Sequence, residues 1–216
     1  MKGIPGWYMR FGDWVLKLLI LNILWVMFTG LGLIIFGFFP ATAALFAVIR
    51  KLVMHDEDVS IFQLFWSTYK LEFIKSNFLG SIILSIGAIL FVDIYILNKL
   101  DPSILNQVLI IVVFVLIVIY MALITYIFPV FVHYKMNVLG YFKYTIILII
   151  GRPFHTIFLM VSIIALLYLL RWIPGLIPVL GISVFALIIM KIASMSLPKI
   201  NNDEGYILKE ETKNIK

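Results

Sequence analysis

Three histidines, one carboxylate inside an apolar run and one proline-led cluster of small residues are the side chains here that could do chemistry. His55, His133 and His155 could ligate a metal, because neutral imidazole is the commonest metal ligand. They lie far apart, without the i,i+4 spacing of helix-borne metal motifs, so no metal site is expected. Asp93 sits within an apolar stretch, where an ionisable group is costly and is by default a candidate for function. It also lies near the end of that stretch, close enough to reach water or Lys99. Asn22 is more central and could hydrogen-bond across helices. Lys17 can snorkel to an interface. Pro40-Ala41-Thr42 is the most distinctive place. A helix starting there, inside a membrane, would aim free N–H groups and a positive dipole end into the protein. With the Thr42 hydroxyl and Asn22, it is a candidate site for an anionic group, or else the hydroxyl satisfies a buried carbonyl. Ala41, Ala43 and Ala44 give the same segment a second reading, as a close-packed helix contact.

Catalytic signatures are missing. The sequence has no G-x-x-x-x-G-K-[ST] phosphate loop, no H-E-x-x-H and no G-x-S-x-G. It has no cysteine, which excludes disulfides and thiolate chemistry. A non-enzymatic protein without a cofactor is expected. The net charge of +6 does not indicate nucleic acid, because the basic residues flank apolar segments and form no stripe on a soluble domain. Basic residues placed this way report topology and contact with the lipid bilayer.

Apolar residues make up 63% of the 216 positions and charged ones 13%, against roughly 45–50% and about 25% in soluble proteins. One small core cannot hide that surplus, so the solvent is partly hydrocarbon. The first apolar stretch runs from Trp14 to Ile49. As one helix it would be about 54 Å long, far beyond a hydrocarbon core of about 30 Å. Gly30-Leu31-Gly32 is the natural break. One helix is expected from about Asp13 to Leu31, non-helical backbone over Gly32–Phe39, and a short helix from Pro40 to about Leu52, with Pro in the first turn. Residues 60–75 read as an amphipathic surface helix, opened by a Ser60…Gln63 capping box. Phe62, Phe65, Trp66, Tyr69 and Phe73 share an arc of roughly 100°. That arc is the candidate lipid or partner surface.

Further spans are expected at Phe78–Leu97, Ile104–Val132, Phe154–Leu170 and Leu176–Ala193. A turn falls at Leu100–Ser103, a short amphipathic stretch at Tyr134–Ile150 and a break at Gly151-Arg152-Pro153. The chain thus reads as an all-α polytopic transmembrane helix bundle of six membrane segments, the second one broken, plus a cytoplasmic amphipathic helix. Residues 1–196 form the transmembrane domain and 197–216 a cytoplasmic polar tail. The turns after Leu97 and Leu170 carry only Lys99 and Arg171. Arg50, Lys51, Lys70, Lys75, Lys135, Lys143, Arg152 and Lys191 gather on the other side, which places both termini in the cytoplasm. The alternative has five spans, with Trp14–Phe39 as one helix and the N-terminus outside. It leaves Lys2, Arg10 and Lys17 on the wrong side.

Leu21-Asn22-Ile23-Leu24-Trp25, the run Gly32 to Leu45, Glu57-Asp58-Val59, Phe65-Trp66 and Lys75 to Gly80 together resemble the YesL-like family of bacterial membrane proteins. The resemblance covers about residues 3–85. It implies a multi-pass protein of the bacterial cytoplasmic membrane with no established activity and no catalytic residues. Members of that family are often encoded near carbohydrate ABC transporters. The resemblance therefore implies an accessory role in sugar uptake beside a transporter permease subunit. The alternative is a small transporter or channel with its site at Pro40–Thr42.

Overall fold

The computed structural model describes residues 5–54, 60–101, 103–172, 175 and 181–197. Among the described residues there are eight α-helices: α1 Pro5–Leu31, α2 Ile35–Val53, α3 Ile61–Leu71, α4 Phe73–Leu97, α5 Ile104–His133, α6 Val138–Gly151, α7 Pro153–Trp172 and α8 Ile182–Ser196. Five are long and apolar enough to cross a membrane: α1 over Phe11–Leu31, α2, α4, α5 and α7. α6 and α8 are shorter apolar helices. The early part of the expected last span, residues 176–180, lies outside the described residues, as do His55, the Glu57-Asp58-Val59 run and the tail beyond Leu197.

α2 is the hub and packs against α1, α3, α4, α5 and α8. Its small residues permit this. Ala41, Ala43 and Ala44 are fully buried, and without long side chains between them helix backbones approach closely. α2 crosses the α4–α5 pair obliquely. Its N-terminal half meets α4, where the Phe39 ring rests on Gly80. Its C-terminal half meets α5, where Phe46 stacks on Phe128 with centroids 5.9 Å apart.

α1 and α2 form a tight hairpin, so the single long helix of the five-span alternative is excluded. The reversal occupies Gly32, Leu33 and Ile34. Leu33 and Ile34 have φ of 56° and 66°, a left-handed conformation costing on the order of 1–3 kcal/mol per residue. The arms touch at two glycines. A Cβ on Gly37 would lie 2.7 Å from the Phe28 carbonyl, and one on Gly32 would meet the Gly37 backbone. The expected helix start at Pro40 is corrected: α2 begins at Ile35 and runs through Pro40. The expected loop over Gly32–Phe39 shrinks to three residues.

The turn is nevertheless fit for an apolar setting. Its outer side chains are apolar and exposed, with Leu33 at 78% and Ile35 at 71%. Its backbone groups find partners locally: Gly32 N–H donates to Phe28, Leu33 to Gly30, Ile34 to Thr29 and Phe36 to Gly32. Such satisfaction is the condition for irregular backbone in hydrocarbon.

α4 and α5 form a long antiparallel pair. Asn106 Nδ2 donates to the Leu97 carbonyl at 3.1 Å and closes the turn, and Ser103 caps α5 by accepting from Asn106 N–H. Tyr120 donates to the Ile83 carbonyl at 2.9 Å, across the gap that Gly87 leaves open. Beyond that contact both arms are mostly exposed and apolar, from Leu84 to Phe91 and from Ile104 to Val118.

Candidate functional site

The sequence singled out Pro40, Ala41, Thr42 and Asn22. Pro40 stands in the second turn of α2, and Pro40, Ala41 and Asn22 are buried. Thr42 Oγ donates to the Phe38 carbonyl at 2.7 Å and accepts from Trp25 Nε1 at 3.1 Å. Trp25 also sits edge-on to Phe38 at 5.5 Å. The Thr42 hydroxyl therefore ties α1 to α2. With the helix N-terminus at Ile35, the free N–H groups that motivated an anion site do not lie at Pro40–Thr42.

Pro40 has a consequence elsewhere. Proline removes the N–H that would bond the carbonyl four residues earlier, here Phe36. Asn77 Nδ2, on α4, donates to that carbonyl at 2.9 Å. It also donates to its own Phe73 carbonyl at 2.9 Å. One amide thus repairs the proline defect and joins α4 to α2. Sequence reasoning did not single out Asn77. The only signal was a polar residue at the start of an apolar span.

The aromatic arc is corrected in part. Phe65 is fully buried and Tyr69 is 7% exposed. Both pack on Phe28 of α1, with ring centroids 5.2 and 4.9 Å away. Tyr69 Oη donates to the Phe28 carbonyl at 3.1 Å, and burial pushes its phenol above the usual range, so it remains a donor. Phe73 is half-buried beside Tyr69. Phe62 remains exposed. Trp66 keeps 39% of its surface exposed while one part of its ring rests on Phe28 at 5.3 Å, and the Lys70 ammonium lies 4.6 Å from the Trp66 ring centre. α3 thus docks its inner face on α1 and α2 and leaves a narrow outer edge. Ser60 makes no capping bond, so the capping box does not form.

The remaining candidates stay apart. His133 is buried edge-on to Tyr134, and His155 borders a small surface cavity with Phe154, Phe158 and Met195. Among the described residues no group of His, Asp and Glu could hold a metal ion. Asp93 is half-buried near the end of α4. Lys99 does not pair with it; its ammonium bonds Tyr95 Oη at 2.5 Å.

A polar cluster that the sequence did not announce lies where α5 gives way to α6. Tyr141, 1% exposed, donates to the Tyr134 carbonyl at 3.1 Å and accepts from Met136 N–H and from Lys75 Nζ, each at 3.1 Å. Tyr134 and Tyr144 share a hydroxyl contact of 2.9 Å. Arg50 reaches from the last turn of α2 to the Val132 carbonyl at 2.9 Å. Arg50, Lys75 and Lys135 thus meet at one end of the bundle.

These helices define a multi-pass membrane protein of the all-α class. Comparison with known proteins places it further. The family described as "Protein of unknown function, DUF624" matches residues 18–94. The chain is 33% identical to the uncharacterised protein YteU of Bacillus subtilis over 94% of its own length and 90% of the relative's. It is 35% identical to YesV over 86% and 88%, and 33% identical to YesL over 74% and 75%, both from the same organism. The chain belongs to this YesL-like family of unknown function. No solved structure matches it.

Proposed function

We propose that this protein is a non-catalytic membrane subunit, accessory to a carbohydrate importer of the ABC type. The α4–α5 pair is the part that lies beside the permease. The observation that carries this reading is that pair. α2 and its neighbours gather round one end of it, while the arms from Leu84 to Val118 stay largely uncovered by the rest of the chain. Two side chains on these arms bond the arms themselves: Tyr120 donates to the Ile83 carbonyl and Asn106 Nδ2 to the Leu97 carbonyl. Predominantly apolar arms suit a surface shared with lipid and another helix bundle. The sugar connection rests on the family resemblance. Positive-inside bias adds the orientation, with the end carrying Arg50, Lys75 and Lys135 facing the cytoplasm.

The transporter reading had its site at Pro40–Thr42, where the hydroxyl is already engaged on both sides. The test is photo-crosslinking in the native membrane. A photoreactive residue at Phe91 or Phe114, both exposed, should capture a sugar permease subunit identified by mass spectrometry. The same probe at Ile74, in the first turn of α4 and outside the arms from Leu84 to Val118, should capture less. Capture of lipid alone at all three positions would sink the accessory reading.

A further inference from the structure

A cavity of about 200 Å³ opens between α2, α3 and the α5–α6 turn. Arg50, Thr68, Glu72, Tyr134, Lys135 and Tyr141 are among its lining residues. The Arg50 guanidinium is anchored by one nitrogen to the Val132 carbonyl, while its Nε is buried without a hydrogen-bond partner. Among the described residues no carboxylate is engaged with it. Arg50 is half-buried; a charge partly withdrawn from water gains from a partner, and a guanidinium offers five donors in a planar fork. Lys135 stands exposed at the rim. Behind the wall, Lys75 lies 5.0 Å from the Tyr141 ring centre. Glu72 is the one carboxylate among the described lining residues, against Arg50 and Lys135, so positive charge prevails among them. The Tyr141 hydroxyl has its three bonds already. It stiffens the wall and leaves recognition to Arg50, Lys135 and the Thr68 hydroxyl.

The geometry points to a binding site for a phosphate-bearing group in this cavity, seated on Arg50 and closed by Lys135. The guanidinium fork matches phosphate oxygens in a bidentate way that a lone ammonium cannot. The cavity lies where α2 and α5 end, at the boundary of the apolar zone. There a phospholipid headgroup can enter from the side, and a soluble phosphate can enter from the water. The site does not depend on the accessory role.

The test uses the full chain in lipid nanodiscs and follows tryptophan fluorescence on heating. Three conditions are compared in phosphate-free buffer: a host bilayer of digalactosyl diacylglycerol, which has no phosphate, the same host with phosphatidylglycerol, and the same host with added inorganic phosphate. A rise in melting temperature with phosphatidylglycerol only assigns the site to a lipid headgroup. A rise with inorganic phosphate only assigns it to a soluble ligand. Arg50→Gln should abolish the rise, with an apparent affinity weaker by about tenfold or more. Lys51→Gln removes the same charge from the exposed neighbour and should leave the rise in place, which subtracts general salt and charge effects. Should Arg50→Gln fail to fold, Lys135→Gln, at an exposed position, carries the comparison and should cut the rise more than Lys51→Gln does. No rise in either condition, or equal losses in the Lys51 variant and the site variants, overturns the site.

Discussion

At the scale of single residues, the least visible feature is the pairing of Pro40 with Asn77. Proline inside a helix costs about 3 kcal/mol relative to Ala, partly because it orphans a carbonyl. Here the orphan is Phe36 O, and Asn77 Nδ2 reaches it from 41 residues away. Asn77→Ala should therefore destabilise the protein by about 1–2 kcal/mol in detergent unfolding, within the range for hydrogen bonds between membrane helices. In a Pro40→Ala background the helix supplies its own N–H to Phe36, and the same Asn77 change should cost clearly less. Equal costs in the two backgrounds would show that the amide does not answer the proline. The Thr42 hydroxyl follows the same logic. A threonine that looks available in the sequence is occupied in the fold because Trp25 and the Phe38 carbonyl are within reach.

At the scale of elements, breakers crowded at Gly32, Gly37 and Pro40 announced a reversal, and the reversal exists. Its position was not legible. Propensity places a new helix at the proline, whereas close packing of Gly32 against Gly37 sets the turn, and the Asn77 bond removes the reason to start at Pro40. The amphipathic helix was legible in the same partial way. Its period identified α3, but period alone does not tell a lipid-facing arc from one facing another helix. The α4 boundary moved for a related reason: Glu72 alone separates α3 from α4, so the span begins at Phe73 instead of Phe78. The two sides of the arc can be separated by mutation. Phe65→Ala should destabilise by about 3–5 kcal/mol, the range for emptying a buried aromatic site. Trp66→Ala, at 39% exposure, should cost far less and should instead weaken binding of the protein edge to lipid or partner. Similar thermal losses for both changes would mean that α3 does not dock as described.

At the scale of the whole molecule, charge and fold agree on one axis. Arg50, Lys75 and Lys135 come together from α2, α4 and the α5–α6 turn, while the α4–α5 turn carries Lys99, whose ammonium folds back on Tyr95. α5 alone, with 30 residues, is about 45 Å long, enough to set these ends on opposite sides of a bilayer. In the proposed orientation, which follows the positive-inside rule, the Arg50 end faces the cytoplasm. The α1–α2 hairpin adds a second constraint. Trp25 meets Thr42 near the turn, and continuing the antiparallel course brings Arg50 back toward the level of Lys17. The start of α1 and the end of α2 therefore share a side. Both constraints can be tested at once, because the chain has no native thiol to compete. Single cysteines at Asp101 and Trp172 should react with a membrane-impermeant maleimide on intact cells. Cysteines at Lys2, Lys51, Lys135 and Asn202 should react only after permeabilisation. Labelling of Lys2 together with Lys51 from outside would invert the orientation but keep the hairpin. Labelling of Lys2 without Lys51 would break the hairpin itself, because a chain that reverses between Leu31 and Ile35 cannot leave those two positions on opposite faces.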